Sequence, residues 1–98
     1  MEKKSKFKDG YSFLICGWMT NRLGLHGLNR EVYAIIFQYS QGVGVMGGSC
    51  KEFIADATGS NMLTINRIFK ELISKGYIKE IKDDDGNIGY SANEDILD

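Results

Sequence analysis

Residues Ser49 to Gly76 read SCKEFIADATGSNMLTINRIFKELISKG, and the pattern of this stretch predicts two helices joined by a tight turn. Ser49 and Glu52 have the spacing of a capping box, in which the serine hydroxyl accepts from the glutamate amide and the glutamate carboxylate accepts from the serine amide. A helix is therefore expected to start at Ser49. Behind it Cys50, Phe53, Ile54 and Ala57 keep helical spacing, and Gly59 is placed to end the helix in the left-handed conformation. Ser60 or Asn61 can cap a second helix at once. In that helix Ile65, Ile68, Phe69, Leu72 and Ile73 form one apolar stripe, and Lys75 then Gly76 supply a cation and a stop.

On the C-terminal side, two strand-like runs, Tyr77 to Ile81 and Ile88 to Ala92, flank Asp83-Asp84-Asp85-Gly86-Asn87. An Asp-Gly step between such runs is a hairpin signal. On the N-terminal side, Asn29 is a good cap with Glu31 in the first turn, and Val32 to Tyr39 is apolar nearly all round. A helix of that kind belongs in the middle of a core. It is expected to stop before Gly42, leaving room for one very short strand around Val43 to Met46. Trp18, Met19, Arg22 and Leu23 fall at helical spacing before a stop at Gly24, and Tyr11 to Ile15 reads as a short extended segment. At the far end Ile96 and Leu97 look like the start of a further element.

The chain has 98 residues, 12 Lys+Arg against 13 Asp+Glu, a formal net charge of -1 and 43% hydrophobic residues. That is one ordinary globular domain. A chain of this size buries roughly 60 to 65% of its unfolded surface, enough for one core but too little for a large internal cavity. A self-contained multi-step enzyme is not expected, nor a polybasic binder. The charge is unevenly spread: residues 1 to 10 carry +2, 11 to 48 carry +1, 49 to 82 carry +2, and 83 to 98 hold six acids and no base. A mildly basic body is masked by an acidic end. Cys16 and Cys50 are read as reduced and buried. The lysines before Tyr11 only faintly resemble a signal peptide, and no stretch reaches the roughly 18 apolar residues of a membrane span, so a cytoplasmic location is expected.

Short helix, connection at Gly59-Ser60, longer helix, hairpin: this order, preceded by a mid-core helix, resembles winged helix-turn-helix domains of bacterial transcription regulators and of phage or plasmid replication initiators and replisome organisers. The residues carrying the resemblance are Trp18-Met19 through Leu23-Gly24-Leu25, Val32 to Ile36 with Tyr39-Ser40-Gln41, Gly48-Ser49, Ile54-Ala55, Gly59-Ser60, and Leu72 through Gly76-Tyr77-Ile78, within residues 11 to 82. It implies an α+β, mainly α fold in a single domain over 1–98: an N-terminal extension with a short helix (1–26), a three-helix core (27–76), a β-hairpin wing (77–92) and an acidic tail (93–98). It also implies double-stranded DNA as partner, with the third core helix in the major groove.

With the apolar stripe inward, Leu63, Arg67, Lys70, Glu71 and Ser74 point outward, and Thr64 and Asn66 flank them. Arg67 suits bidentate pairing with guanine, Asn66 or Asn61 with adenine, and Thr64 or Leu63 contact with a thymine methyl. Lys51, Lys70, Lys79 and Lys82 are phosphate candidates, and so are the amides of Ser60 and Asn61 at a helix start. The same charges are also what any solvated helix presents. One departure from the family stands out: the wing tip carries Asp83, Asp84 and Asp85 where DNA-contacting wings usually carry Arg or Lys. That pattern also fits a protein-interaction winged helix that does not bind DNA. Phe7 to Met19 is a candidate for homodimerisation.

Gly42-x-Gly44-x-x-Gly47 matches a dinucleotide fingerprint but follows a helix where the fingerprint needs a strand. Asp83, Asp85, Asn87 and Glu94 share EF-hand spacings, but Ile88 stands where that loop needs Gly. His26 and the cysteines lack zinc spacing. No catalytic residue, metal or cofactor is expected.

Overall fold

A computed structural model describes residues 15–42, 44–47 and 49–97. All but Ile15 of the expected extended segment at Tyr11 to Ile15 and most of the proposed dimerising segment Phe7 to Met19 lie outside these residues. The described part is α+β and mainly helical: α1 (Gly17–Asn21), α2 (Gly27–Gly42), α3 (Cys50–Thr58), α4 (Met62–Ser74), β1 (Ile78–Lys82), β2 (Ile88–Ala92) and a 3-10 helix at Glu94–Leu97. The Cα radius of gyration is 13.2 Å, close to the roughly 12.5 Å of a compact domain this long.

Helix α2 is the centre of the core. Val32, Tyr33, Ala34, Ile35 and Ile36 are all buried, a run longer than one full turn, so the helix is covered on every side at its middle. Ile54 from α3, Ile65, Ile68, Phe69 and Leu72 from α4, and Ile78 and Tyr90 from the hairpin complete one cluster, which Met19 and Leu25 close from the N-terminal side. The strands pair antiparallel with Ile78 opposite Ala92, Glu80 opposite Tyr90 and Lys82 opposite Ile88. Of the expected strand at Val43 to Met46, Val43 lies outside the described residues, and residues 44–46 contribute one bridge, Met46 to Tyr90, on the far side of β2.

Several local signals are used differently from their sequence reading. Asn29 is not a cap: α2 already starts at Gly27, whose φ of 57° only glycine adopts cheaply, and the Asn29 side-chain amide donates to Glu71 Oε1 at 3.2 Å. The helix also runs through Gly42 instead of stopping before it. Ser49 holds the N-cap position of α3, but its hydroxyl makes no capping bond; Cys50 N donates instead to Gly47 O at 3.1 Å. Gly59 does take the left-handed conformation (φ 73°), and Asn61 does cap α4, its Oδ1 accepting from Thr64 N at 2.8 Å. Cys50 is buried and Cys16 only half-buried, both free. The C-terminal segment folds back: Ile96 packs on the core and the Gln41 amide donates to the Glu94 carboxylate. No described helix is long and apolar enough to cross a membrane.

Tyr33 is fully buried, stacked on Phe37 and edge-on to Trp18 and Tyr77, and its hydroxyl finds no hydrogen-bond partner among the described residues. Burial, with a smaller push from the Glu94 carboxylate, raises the phenol to about 12 from 10.0. Deleting an unsatisfied hydroxyl is favourable, so Tyr33→Phe should raise stability by about 1 kcal/mol, read as a higher urea midpoint at constant slope. Because the folded-state value lies above the unfolded one, the wild type keeps its stability below pH 10 and loses it as pH rises towards 12. Tyr33→Phe should lessen that alkaline loss.

Candidate nucleic-acid interface

The apolar stripe of α4 turns Leu63, Asn66, Arg67 and Lys70 outward on the opposite side of the helix. Helix α4, the start of α3 and the hairpin enclose an open groove of about 750 Å³ lined by Lys51, Leu63, Asn66, Arg67, Phe69, Lys70, Ile73, Glu80 and Tyr90. Its floor is aromatic: Phe69 and Tyr90 meet edge to face with centroids 4.9 Å apart, and Lys51 Nζ stands 5.2 Å from each ring centroid. Lys51, a first-turn residue of α3, is thus a cation held by two ring faces.

Of the ten candidate residues, the fold brings Lys51, Leu63, Asn66, Arg67 and Lys70 to this groove. Leu63 is 82% exposed, an uncovered leucine at the start of α4. Asn61 and Thr64 sit at the same helix end, where the Asn61 oxygen accepts from the Thr64 amide and holds the Asn61 side chain in the cap. Ser60 is withdrawn: its amide donates to Ala55 O at 2.8 Å, closing the turn at Gly59, and its hydroxyl lies 3.2 Å from Thr58 Oγ1. The expectation that the Ser60 amide receives a phosphate is corrected by that bond. Lys79 and Lys82 are exposed on β1 but outside the groove lining, and strand alternation puts them on opposite faces of the hairpin.

Four groove residues, Phe69, Ile73, Glu80 and Tyr90, were not among the candidates. Glu80 lies on the Ile78 side of β1 and accepts weakly from the Tyr90 hydroxyl at 3.5 Å, placing one carboxylate among three cations. Period-two alternation from the buried Ile78 would have found it. Tyr90 forms part of the floor. Ile73, expected in the buried stripe, is 36% exposed and lines the groove, because two helical turns separate it from Asn66 and bring it back onto the same line.

The hairpin tip is organised by one of its own acids. Asp83 Oδ1 accepts from the amides of Asp85 and Asn87, both at 2.9 Å, and Gly86 closes the loop with φ 86°. These hydrogen bonds, that of Asn87 foremost, hold the Asp83 carboxyl below its usual range. Among the described residues no group of three or more His, Cys, Asp or Glu is placed to hold a metal ion. No protein-family model, curated protein or solved structure matches the chain.

Proposed function

We propose that the chain is a winged-helix domain that binds double-stranded DNA through α4, as a module of a transcription regulator or of a phage- or plasmid-type replication initiator. The supporting observation is the outward row Leu63, Asn66, Arg67 and Lys70 beside the ring-held Lys51. A major groove about 12 Å wide admits one helix, and α4 presents there a guanine reader (Arg67), an adenine reader (Asn66) and an apolar contact for a thymine methyl (Leu63). Lys51, Lys70 and Lys82 hold phosphates and set register without specifying sequence.

The test is titration of random and phage-derived duplexes at about 50 mM salt, where phosphate contacts are strongest. Binding should weaken steeply with salt. Arg67→Ala should cost about 1 to 3 kcal/mol on a preferred duplex, while Lys70→Ala should weaken all duplexes alike and lower the salt slope by about one. No binding at low salt would sink the proposal.

A second reading, a protein-interaction winged helix without DNA, is favoured by the acidic tip and by Glu80 in the groove. Replacing Asp84 and Asp85 with Asn separates the two while sparing the loop-forming Asp83. A protein complex should weaken, whereas DNA binding should hold or tighten.

A further inference from the structure

Among the described residues strand β1 is the free edge of the sheet, since β2 is paired with β1 on one side and bridged to Met46 on the other. The hydrogen bonds of β2 tell which β1 groups face outward. Tyr90 N donates to Met46 O at 2.9 Å and Met46 N to Tyr90 O at 2.8 Å, so both main-chain groups of Tyr90 point away from β1. Its cross-strand neighbour Glu80 therefore sits in a non-hydrogen-bonded pair and turns its own N–H and C=O to the outer edge. By alternation Ile78 and Lys82 do the same. The bonds Asp83 N to Asn87 O and Asn93 N to Tyr77 O, both 2.9 Å, confirm that the odd-numbered residues face inward.

The side chains on this edge alternate in sign: Lys79, Glu80, Ile81, Lys82, Asp83. Lysines on an edge usually block pairing with another strand. Here an antiparallel copy of the same strand, centred on Ile81, sets Glu80 opposite the partner's Lys82, Ile81 opposite the partner's Ile81 and Lys79 opposite the partner's Asp83. That register also matches the outward groups, since Glu80 and the partner's Lys82 both offer N–H and C=O across the gap. The neighbouring registers with the same outward groups fail: centring on Glu80 opposes two glutamates, and centring on Lys79 opposes two lysines. Ile81 is also only partly covered by the described residues. It lies opposite Gly89, which has no side chain, and is 37% exposed.

We infer that the chain self-associates through antiparallel pairing of two β1 edges centred on Ile81, joining two hairpins into one four-stranded sheet. About four main-chain hydrogen bonds and two Glu80–Lys82 pairs form per dimer. So short a seam falls below the roughly 1,200 Å² of a permanent interface, so the dimer is a reversible one. The inference does not rest on the DNA reading, with which it shares only Lys82, and no nucleic acid enters its test.

Sedimentation velocity of the full chain should show a monomer–dimer equilibrium with Kd between about 10 and 1,000 µM. Glu80→Lys alone, or Lys82→Glu alone, sets like charges opposite each other at both symmetric points and should weaken association about tenfold or more. An equimolar mixture of the two single variants should recover association as a heterodimer, and the doubly swapped chain should recover it as a homodimer. Circular dichroism confirms that each variant is folded. A wild type that stays monomeric up to about 1 mM, a dimer indifferent to either reversal, or no recovery in the mixture overturns the inference.

Discussion

Truncating Phe69 to alanine is expected to cost about 3 to 5 kcal/mol, a large share of the roughly 5 to 15 kcal/mol that holds a domain of this size together. Phe69 is 1% exposed and sits in the α4 stripe between Ile68 and the hairpin. Its removal leaves a cavity, deprives Tyr90 of its edge-to-face partner with centroids 4.9 Å apart, and takes from Lys51 one of the two faces that hold its ammonium. Phe69→Leu keeps much of the volume and should cost less, which separates the cavity from the lost aromatic contacts. Urea unfolding at neutral pH measures both; a loss under about 1 kcal/mol for the alanine variant would mean that the ring is not the keystone of the cluster.

The second large effect is expected at Gly89, where the smallest added side chain has no room. A Cβ there would lie 2.6 Å from Met46 O and 2.5 Å from Val45 Cγ1. The valine methyl can rotate aside, but the Met46 carbonyl accepts from Tyr90 N at 2.9 Å and cannot retreat without breaking the bridge. Gly89→Ala should therefore cost about 1 to 3 kcal/mol and lower Tm by roughly 5 to 15 °C. Amide exchange at Met46 and Tyr90 should speed up before the rest of the core is affected. An unchanged Tm with those amides still protected would refute the clash.

What was legible in the sequence was local. The left-handed Gly59, the Asn61 cap, the α4 stripe from Ile65 to Leu72 and the hairpin around Asp83 to Asn87 each rest on residues within one or two turns of each other. What escaped depends on distant partners. Asn29 looks like a cap because nothing nearby announces Glu71, 42 positions away. Ser60 looks free until Ala55 takes its amide, and Gly89 looks like an ordinary strand glycine until Met46 is set beside it. The groove was legible on its helical side, where spacing alone aligns Asn66, Arg67 and Lys70. Its other wall was not, because treating the β1 lysines simply as phosphate contacts passed over the strand's alternation and the acid between them, Glu80.

The aromatic floor of the groove has a practical consequence. Phe69 and Tyr90 belong to the hydrophobic core and to the groove surface at once, so whatever occupies the groove leans directly on the core. Occupancy is then reported by the whole domain: a ligand at a hundred times its Kd adds about 2.7 kcal/mol to the folded state. A thermal-shift panel of duplexes, single strands and peptides can thus rank partners for this surface by melting temperature alone, with no label and no functional assay.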